Sequence, residues 1–228
     1  MIDAFMHWLG FGLCHQLPER SLFGGGVQLP VCARDTGIYF GFVISMLVIA
    51  AVDRGRRRSG MTPWWVLALG GVFVAVMAWD GLTSYAGLRT TTNEIRLVTG
   101  LLTGFALPLV VVPLINSQMW RRFTLERVLE RAWEVAVWAA AVPASFALLW
   151  WGAPLLGIAY PLAAAVCILV TFTAVNLVMV LLAPRFEQKA ERLRDAWLPL
   201  LVAFGLTLVE VAVTGWLRGV LLSLAGYR

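Results

Sequence analysis

The chain has 228 residues, of which 60% are hydrophobic and 14% are charged, and its formal net charge is +5. A soluble domain has roughly 45–50% apolar and about 25% charged residues, so this composition excludes a water-soluble globule and a disordered tail. The basic charge does not indicate a nucleic-acid partner, because the 18 basic residues lie between long apolar runs. The sequence is therefore that of a polytopic membrane protein.

The first predicted element is a short helix at the N-terminus. Five apolar residues recur there at helical spacing: Ile2, Phe5, Met6, Leu9 and Leu13. This pattern is typical of an amphipathic helix that lies at the membrane interface or plugs a helix bundle. A packed cap without a role of its own fits the same pattern.

Six stretches are apolar and long enough to cross a membrane, since a spanning helix needs about 20 mostly apolar residues. They are Thr36–Val52, Pro63–Trp79, Leu97–Ile115, Ala132–Trp151, Leu155–Ala183 and Leu198–Leu222. The predicted fold is all-α: a polytopic membrane bundle of six transmembrane helices plus the N-terminal interfacial helix. We expect one membrane domain over residues 1–228, with residues 1–35 as an outward-facing segment and residues 36–228 as the bundle.

The basic residues predict the orientation of these spans. Twelve of the eighteen follow the first, third and fifth spans: Arg54, Arg56, Arg57, Arg58, Arg121, Arg122, Arg127, Arg131, Arg185, Lys189, Arg192 and Arg194. Short loops rich in Lys and Arg stay in the cytoplasm. We therefore expect a multi-pass protein of the cytoplasmic (inner) membrane, with its N-terminus and C-terminus outside.

A cluster of polar residues precedes the first span. Cys14 and His15, followed by Cys32 and Asp35, offer two thiols, an imidazole and a carboxylate, which form a possible four-ligand set for zinc. Two alternatives stay open: a disulfide between Cys14 and Cys32, favoured by an oxidising outer side, and simple packing of two unreacted thiols. The predicted cofactor is thus a divalent metal, with zinc as the first choice, and no motif indicates a nucleotide or a flavin.

A second polar cluster follows the second span. Asp80 is the first residue after the apolar run, and Gly81 beside it favours a turn. If residues 89–96 are helical, Arg89, Asn93 and Arg96 share one face. Two guanidinium groups on one face suit a phosphate or carboxylate that is held by paired hydrogen bonds.

The arginines of the first cluster extend this candidate anion site. Arg20 and Arg34 lie on the same predicted side of the membrane as the second cluster, so the two clusters can meet in space. The alternative is that the arginines pair internally with the nearby carboxylates of Asp35, Asp80 or Glu94. Both interpretations place the functional chemistry at the outer end of the bundle.

Two carboxylates are candidate catalytic groups. Asp80 adjoins the anion site and can serve as a general base or as a substitute metal ligand. Glu210 lies near the middle of the sixth span, where a carboxylate is neutralised or matched by a partner.

Two runs of residues resemble the signature of a known family. The first comprises Cys14-His15-Gln16, Pro18-Glu19-Arg20-Ser21, Gln28, Pro30, Cys32-Ala33-Arg34 and Thr36-Gly37-Ile38-Tyr39, and the second comprises Asp80-Gly81-x-Thr83, Gly87-x-Arg89, Asn93-x-x-Arg96 and Thr99-Gly100. They resemble motifs of a family of small prokaryotic integral membrane proteins of unknown function. Many members have a second Cys where this chain has Asp35, an exchange that keeps a metal ligand and removes a dithiol couple. The resemblance implies a membrane protein and no particular activity.

The leading functional hypothesis is a metal-supported site at the outer membrane boundary, beside an arginine-rich pocket that binds or acts on a lipid or isoprenoid phosphate. Whether the protein is an enzyme is open. The alternatives are a non-catalytic subunit of a larger membrane complex and a small-solute transporter. The expected partners are membrane lipid and either a membrane protein or a second copy of the chain, with no nucleic acid.

Overall fold

In the computed structural model, which describes residues 2–225, six helical segments are long and apolar enough to cross a membrane. They run over Ala33–Asp53, Trp64–Tyr85, Asn93–Met119, Ala132–Leu156, Ala159–Leu181 and Leu193–Leu224. The prediction of an all-α membrane bundle is confirmed. The spans are helical because a helix satisfies its own backbone hydrogen bonds, which hydrocarbon cannot do.

The individual elements follow one another with short connections. In chain order they are α1 (Ile2–Phe11), β1 (Ser21–Gly24), β2 (Val27–Cys32), α2 (Ala33–Asp53), β3 (Arg58–Gly60), α3 (Trp64–Tyr85), α4 (Asn93–Ala106), α5 (Pro108–Met119), β4 (Thr124–Arg127), α6 (Ala132–Ala147), α7 (Ala159–Leu181) and α8 (Trp197–Leu224). β1 and β2 form an antiparallel hairpin, and β3 pairs with β4 in parallel. Helices α4 and α5 together make the third span and meet at Leu107, directly before Pro108.

The structure has two ends, which we name by their chemistry. The N-terminal face carries α1, the β1–β2 hairpin, the start of α2 and the end of α3. The end of α8 also lies at this face, where Arg218 donates hydrogen bonds to the Phe11 and Cys14 carbonyls. The basic face carries the twelve Arg and Lys residues that follow the first, third and fifth spans. The N-terminal helix is confirmed as α1, and its Met6 and Leu9 are buried against β2, α7 and α8.

Helices α2 and α4 pack closely because glycines line their contact. Gly37 and Gly41 on α2 face Gly100 and Gly104 on α4, each pair four residues apart and therefore on one helix face. A Cβ atom on any of the four would meet backbone atoms of the other helix at 3.0 Å or closer. Small residues at this spacing let membrane helices approach backbone to backbone. We call this contact the glycine seam.

A buried ion-pair network fixes the basic face. Arg58 is 2% exposed, and its guanidinium lies 2.8 Å from the carboxylate of fully buried Glu134 and 3.1 Å from the carboxylates of Asp53 and Glu126. In the middle of the bundle, the indole N–H of Trp138 donates to the Ser45 hydroxyl at 2.9 Å. Such buried polar groups are costly unless they are paired, so these contacts position α2 and α6 relative to each other.

The structure corrects three local expectations. Asp80 does not follow the second span in a turn: it is helical, because α3 continues through Gly81 to Tyr85. Residues 89–96 are not one helix, since α4 begins at Asn93, so Arg89 does not share a helical face with Arg96. The fifth span does not begin at Leu155, because Gly157 with φ of 57° separates that residue from α7.

Candidate functional site

Two thiols and a carboxylate converge on the N-terminal face. One ligand atom each from Cys14, Cys32 and Asp35 lies within 4.8 Å of the other two. The Cys32 backbone N–H donates to the Cys14 sulfur at 3.3 Å, and the Cys32 thiol donates to the Asp35 carboxylate at 3.3 Å. Cys32 directly precedes α2 and Asp35 lies in its first turn, so the helix start holds both side chains on one side. We call these three residues the thiol cluster.

The loop that carries Cys14 is held by hydrogen bonds from several sides. The side-chain amide of Gln16, a residue with φ of 55°, donates to the Pro30 carbonyl at 2.8 Å. The amide of Gln28 donates back to the Gln16 carbonyl at 2.9 Å. Together with the bond from Arg218 on α8 to the Cys14 carbonyl, these contacts fix the loop against β2. The position of the Cys14 sulfur is therefore set by the fold before any ligand binds.

The two thiols have different protonation preferences. The adjacent Cys32 side chain lowers the pKa of Cys14 below the usual value of a cysteine. The same contact raises the pKa of Cys32, and burial raises it further. Of the two thiols, Cys14 is therefore the one that loses its proton more readily. Only the thiolate form of cysteine is a strong nucleophile or metal ligand.

The structure does not bring His15 into the thiol cluster. His15 is adjacent to Cys14 in the chain, but its side chain is exposed, and within residues 2–225 the group of possible metal ligands contains only Cys14, Cys32 and Asp35. Cys14 and Cys32 are not bonded to each other. Cys167, which lies in α7, is buried among apolar residues of the core, as expected for a structural thiol.

Asp80 is the centre of a second network beside the thiol cluster. Its carboxylate, 1% exposed, forms salt bridges with Arg34 of α2 and with Arg89. The hydroxyl of Thr91 donates to it at 2.9 Å, and that of Thr99 lies 3.5 Å away. Asp80 therefore accepts hydrogen bonds on both oxygens and holds two arginines. Both carboxylate oxygens of Asp80 are thus occupied by donors of the protein itself, and a role of Asp80 as a base stays a prediction.

Arg34 links the two networks. It lies between Cys32 and Asp35 in sequence and reaches Asp80 on α3. Its Nε is buried and has no hydrogen-bond partner within the described residues. A buried donor without an acceptor is uncommon in folded proteins and is a place where a ligand or water is expected.

A small cavity lies between the thiol cluster and the arginines. Its volume is about 30 Å³, and Cys14 and Cys32 line one part of it. The same cavity is lined by Arg20, Arg34 and Arg96, which we call the cavity arginines. The remaining lining residues are His15, Gln16, Leu17, Ser84 and Tyr85. The space is large enough for a water molecule or one atom group of a ligand.

Arg96 is the most unusual of the cavity arginines. It is 9% exposed, and one of its N–H groups donates to the Asn93 side-chain oxygen at 3.0 Å. Neither Arg96 nor Arg20 forms a salt bridge with any carboxylate in residues 2–225. The internal pairing considered from the sequence is thus found for Arg34 and Arg89, which pair with Asp80. The cavity retains two positive charges that no side-chain carboxylate matches.

Glu210 does not belong to this site. It lies in α8, its side chain is exposed, and its carboxylate accepts a hydrogen bond from Asn176 of α7 at 3.1 Å. Asn176 also donates to Thr207 at 3.1 Å, so the group forms a separate polar cluster between α7 and α8. Glu210 is absent from the residues that line the cavity in the described structure.

The sequence assigned no role to several residues that shape the site, although Gln16 and Thr99 belong to its two motifs. Thr99 follows Asn93 and Arg96 at steps of three residues, a spacing that places all three near one face of α4 and was available as a signal. Thr91 and Gln16 gave no such signal, because each reaches its partner through a loop conformation. Tyr85 and Ser84 enter the lining because α3 extends beyond the apolar run.

A family model and two archaeal relatives match the chain. The sequence model of a family described as "Predicted membrane protein (DUF2085)" matches residues 14–110. An uncharacterised protein of Methanocaldococcus jannaschii is 32% identical over 111 residues, which are 49% of this chain and 69% of the relative. An uncharacterised protein of Methanothermobacter thermautotrophicus is 34% identical over 95 residues, 42% of this chain and 80% of the relative. The chain belongs to the DUF2085 family.

The DUF2085 match covers the whole of the site. Residues 14–110 include the thiol cluster, Asp80 and all three cavity arginines. The family is described as one of predicted membrane proteins, and the names of both archaeal relatives assign no activity. No solved structure matches the chain.

Proposed function

We propose that the protein binds a zinc ion with the thiol cluster and, beside it, the phosphate group of a membrane lipid or isoprenoid with the cavity arginines. The observation that carries this proposal is the single cavity lined by Cys14, Cys32 and three arginines, two of them without a carboxylate partner. An anion would supply the acceptor that the buried Nε of Arg34 lacks and a counter-charge for Arg96, which forms no salt bridge within residues 2–225. The guanidinium group of arginine suits phosphate because it can donate two parallel hydrogen bonds to two phosphate oxygens.

The donor set of the thiol cluster suits zinc. Thiolate sulfur and carboxylate oxygen are both zinc ligands, and in a tetrahedral site with zinc–sulfur bonds of about 2.3 Å the ligand atoms lie about 3.8 Å apart. The three candidate ligand atoms lie within 4.8 Å of one another, so small side-chain rotations bring them to that spacing. Zinc held by three protein ligands keeps a fourth position for water or a phosphate oxygen.

The arginines have separate roles in this proposal. Asp80 holds Arg34 and Arg89 in place, so the arginine donors are positioned before a ligand arrives. Arg96 is buried at the start of α4 and supplies an unmatched charge. The cavity lies where α2 and α4 begin and α3 ends, at the level expected for lipid head groups. A lipid phosphate therefore reaches it without leaving the membrane boundary.

Metal analysis of purified protein tests the zinc site. We expect about one zinc per chain in the native protein and its loss in Cys14→Ala and Cys32→Ala. Cys167→Ala is the matched control and retains the metal, since Cys167 lies in α7 away from the cluster. His15→Ala also retains it, because His15 is outside the cluster. Metal-free native protein whose intact mass is lower by two hydrogens indicates a Cys14–Cys32 disulfide and refutes the zinc site.

Ligand-induced thermal stabilisation tests the anion site. Farnesyl phosphate is expected to raise the melting temperature of the detergent-solubilised protein, while farnesol, which lacks the phosphate, leaves it unchanged. Arg96→Gln removes the effect, whereas Arg122→Gln, the same change at an exposed arginine of the basic face, preserves it. Equal responses to the alcohol and the phosphate contradict the proposal.

We further infer that the N-terminal face is outside the cytoplasmic membrane, because the twelve basic loop residues are expected to remain in the cytoplasm. Two exposed glutamates on opposite ends provide a test, Glu19 and Glu187. In a background without Cys14, Cys32 and Cys167, a thiol reagent that does not cross membranes is expected to label Glu19→Cys in intact cells and to leave Glu187→Cys unlabelled. The reverse pattern contradicts this orientation.

A further inference from the structure

A deep cleft opens at the opposite end of the molecule from the candidate site. Two cavities of about 510 Å³ and about 420 Å³ share Met46, Ile115, Met119 and Leu193 as lining residues, so they form one continuous cleft. It lies between α2, α5, α7 and the start of α8. Several of its residues are exposed at the protein surface, Leu193 to 64% among them. We call it the lipid-side cleft.

The inner part of the lipid-side cleft is apolar. Thr173 is the only residue with a polar side chain among the residues that line the 510 Å³ cavity. Along α7 the lining runs from Val166 to Leu177, which is about 16 Å at about 1.5 Å per residue. One leaflet of a hydrocarbon core about 30 Å thick is about 15 Å deep. The cleft thus matches the depth of one leaflet.

The outer part of the cleft is polar and lies on the basic face. Its lining includes Arg57, Asn116 and Trp120. The Arg57 guanidinium stacks on the Trp120 ring at 3.8 Å from the ring centre and donates to the Glu191 carbonyl. Asp53, which also lines this part, is within 3.1 Å of Arg58 and so is already paired.

The charge of the basic face favours an anion at this mouth. Arg57 forms no salt bridge with a carboxylate in the described part of the chain. Twelve basic and seven acidic residues lie on this face, so its formal charge is +5. Basic residues next to a bilayer attract anionic lipid head groups, whereas a neutral head group gains little from them.

We propose that the lipid-side cleft binds one anionic phospholipid of the adjacent leaflet, with an acyl chain along α7 and the head-group phosphate at Arg57. The site is separate from the zinc and anion site of the N-terminal face and does not depend on it. Trp120 and Asn116 border the mouth, where the Trp120 indole N–H donates to the Asn116 side-chain oxygen and the Asn116 amide donates to the Arg58 carbonyl, so Arg57 is the group at the mouth that recognises the head group. The apolar part accepts the chain without burying any polar group of the ligand.

Native mass spectrometry with two lipids tests the proposal. Detergent-solubilised full-length protein is titrated with phosphatidylglycerol or with phosphatidylcholine of the same acyl chains, and the lipid-bound fractions are compared. We expect one tightly retained phosphatidylglycerol per chain. Arg57→Gln is expected to lower the preference for phosphatidylglycerol about fivefold, the effect of one basic residue near an anionic surface, whereas Arg122→Gln leaves it unchanged.

A second pair of variants tests whether the lipid enters through the outer part of the cleft. Ala50 is exposed and lines the outer cavity, so Ala50→Phe fills the cleft without disturbing buried packing. Ala75→Phe makes the same change at an exposed position of α3 outside the cleft. We expect the first variant to lose the bound lipid and the second to keep it. Undiminished binding to Ala50→Phe overturns the proposal.

Two further outcomes also overturn it. If phosphatidylglycerol and phosphatidylcholine are retained equally and Arg57→Gln changes neither, the cleft does not recognise the lipid head group. A dimer that dissociates in Ala50→Phe shows that a second copy of the chain covers the cleft. The Arg57 variant changes a half-buried side chain at the surface and does not alter the core, so it remains informative if Ala50→Phe folds poorly.

Discussion

The close backbone contact at the glycine seam predicts that a single added methyl group destabilises the bundle. A Cβ at Gly100 would overlap the carbonyl oxygen of Arg34 and lie 2.9 Å from the carbonyl carbon of the same residue. Both are backbone atoms, so no side-chain rotation relieves the contact and α2 must move away from α4. Gly100→Ala therefore separates the two helices that carry Arg34 and Arg96.

The expected magnitude follows from two opposing effects. Alanine in place of glycine favours a helix by about 1 kcal/mol. Overpacking a close contact costs about 1–3 kcal/mol and more where the backbone itself must shift. We expect Gly100→Ala to lower the free energy of unfolding by about 2 kcal/mol, which is about 30-fold in the folding equilibrium.

Gly71→Ala is the matched control for this prediction. Gly71 lies in α3, is exposed, and has no atom within 4 Å of the position of an added Cβ. This variant gains helix propensity without a clash and is expected to be at least as stable as the native protein. Unfolding of both variants in mixed detergent, followed by circular dichroism, gives the two free energies. Equal stability of the two variants refutes backbone contact at the seam.

Two further predictions concern buried polar contacts. Glu134→Gln removes the charge that faces buried Arg58 and is expected to lower the free energy of unfolding by about 3 kcal/mol. The control Glu187→Gln, at an exposed site, is expected to change it by no more than about 0.5 kcal/mol. Similar melting temperatures of the two variants contradict the buried pair. Ser45→Ala leaves the Trp138 indole N–H without its acceptor and is expected to cost about 1–3 kcal/mol in the same unfolding assay, with a changed tryptophan emission spectrum. An unaltered spectrum and stability mean that this hydrogen bond is not formed.

The number and type of the spans were predictable because the bilayer imposes a simple rule on the sequence. Hydrocarbon demands about 20 apolar residues per helix, so composition alone identifies each span. The ends were less predictable. Hydropathy places a boundary at Asp80, yet α3 continues because that charge is matched by Arg34 and Arg89 from other elements. A single sequence does not reveal such a partner, since it depends on packing.

The chemical composition of the site was predictable, whereas its pairing was not. Cys14, Cys32 and Asp35 were recognised from their residue types and the short Cys-x-x-Asp spacing, which a helix start keeps together. The exclusion of His15 depends on the direction of its side chain, and this is set by a loop held through Gln16. The division between paired Arg34 and unmatched Arg96 likewise depends on which helix lies beside each arginine.

The glycine seam and the cavity of the candidate site lie in the same part of the chain. Both glycine pairs and every residue that lines the cavity lie in residues 14–110, the part that the family's sequence model matches. Helices α6 to α8 lie outside that part and contribute no residue to the lining of this cavity between the thiol cluster and the arginines. A substitution in residues 14–110 can therefore change the cavity lining or the glycine seam directly. A substitution in α6 to α8 reaches the cavity only through packing, as Arg218 of α8 does by holding the Cys14 carbonyl.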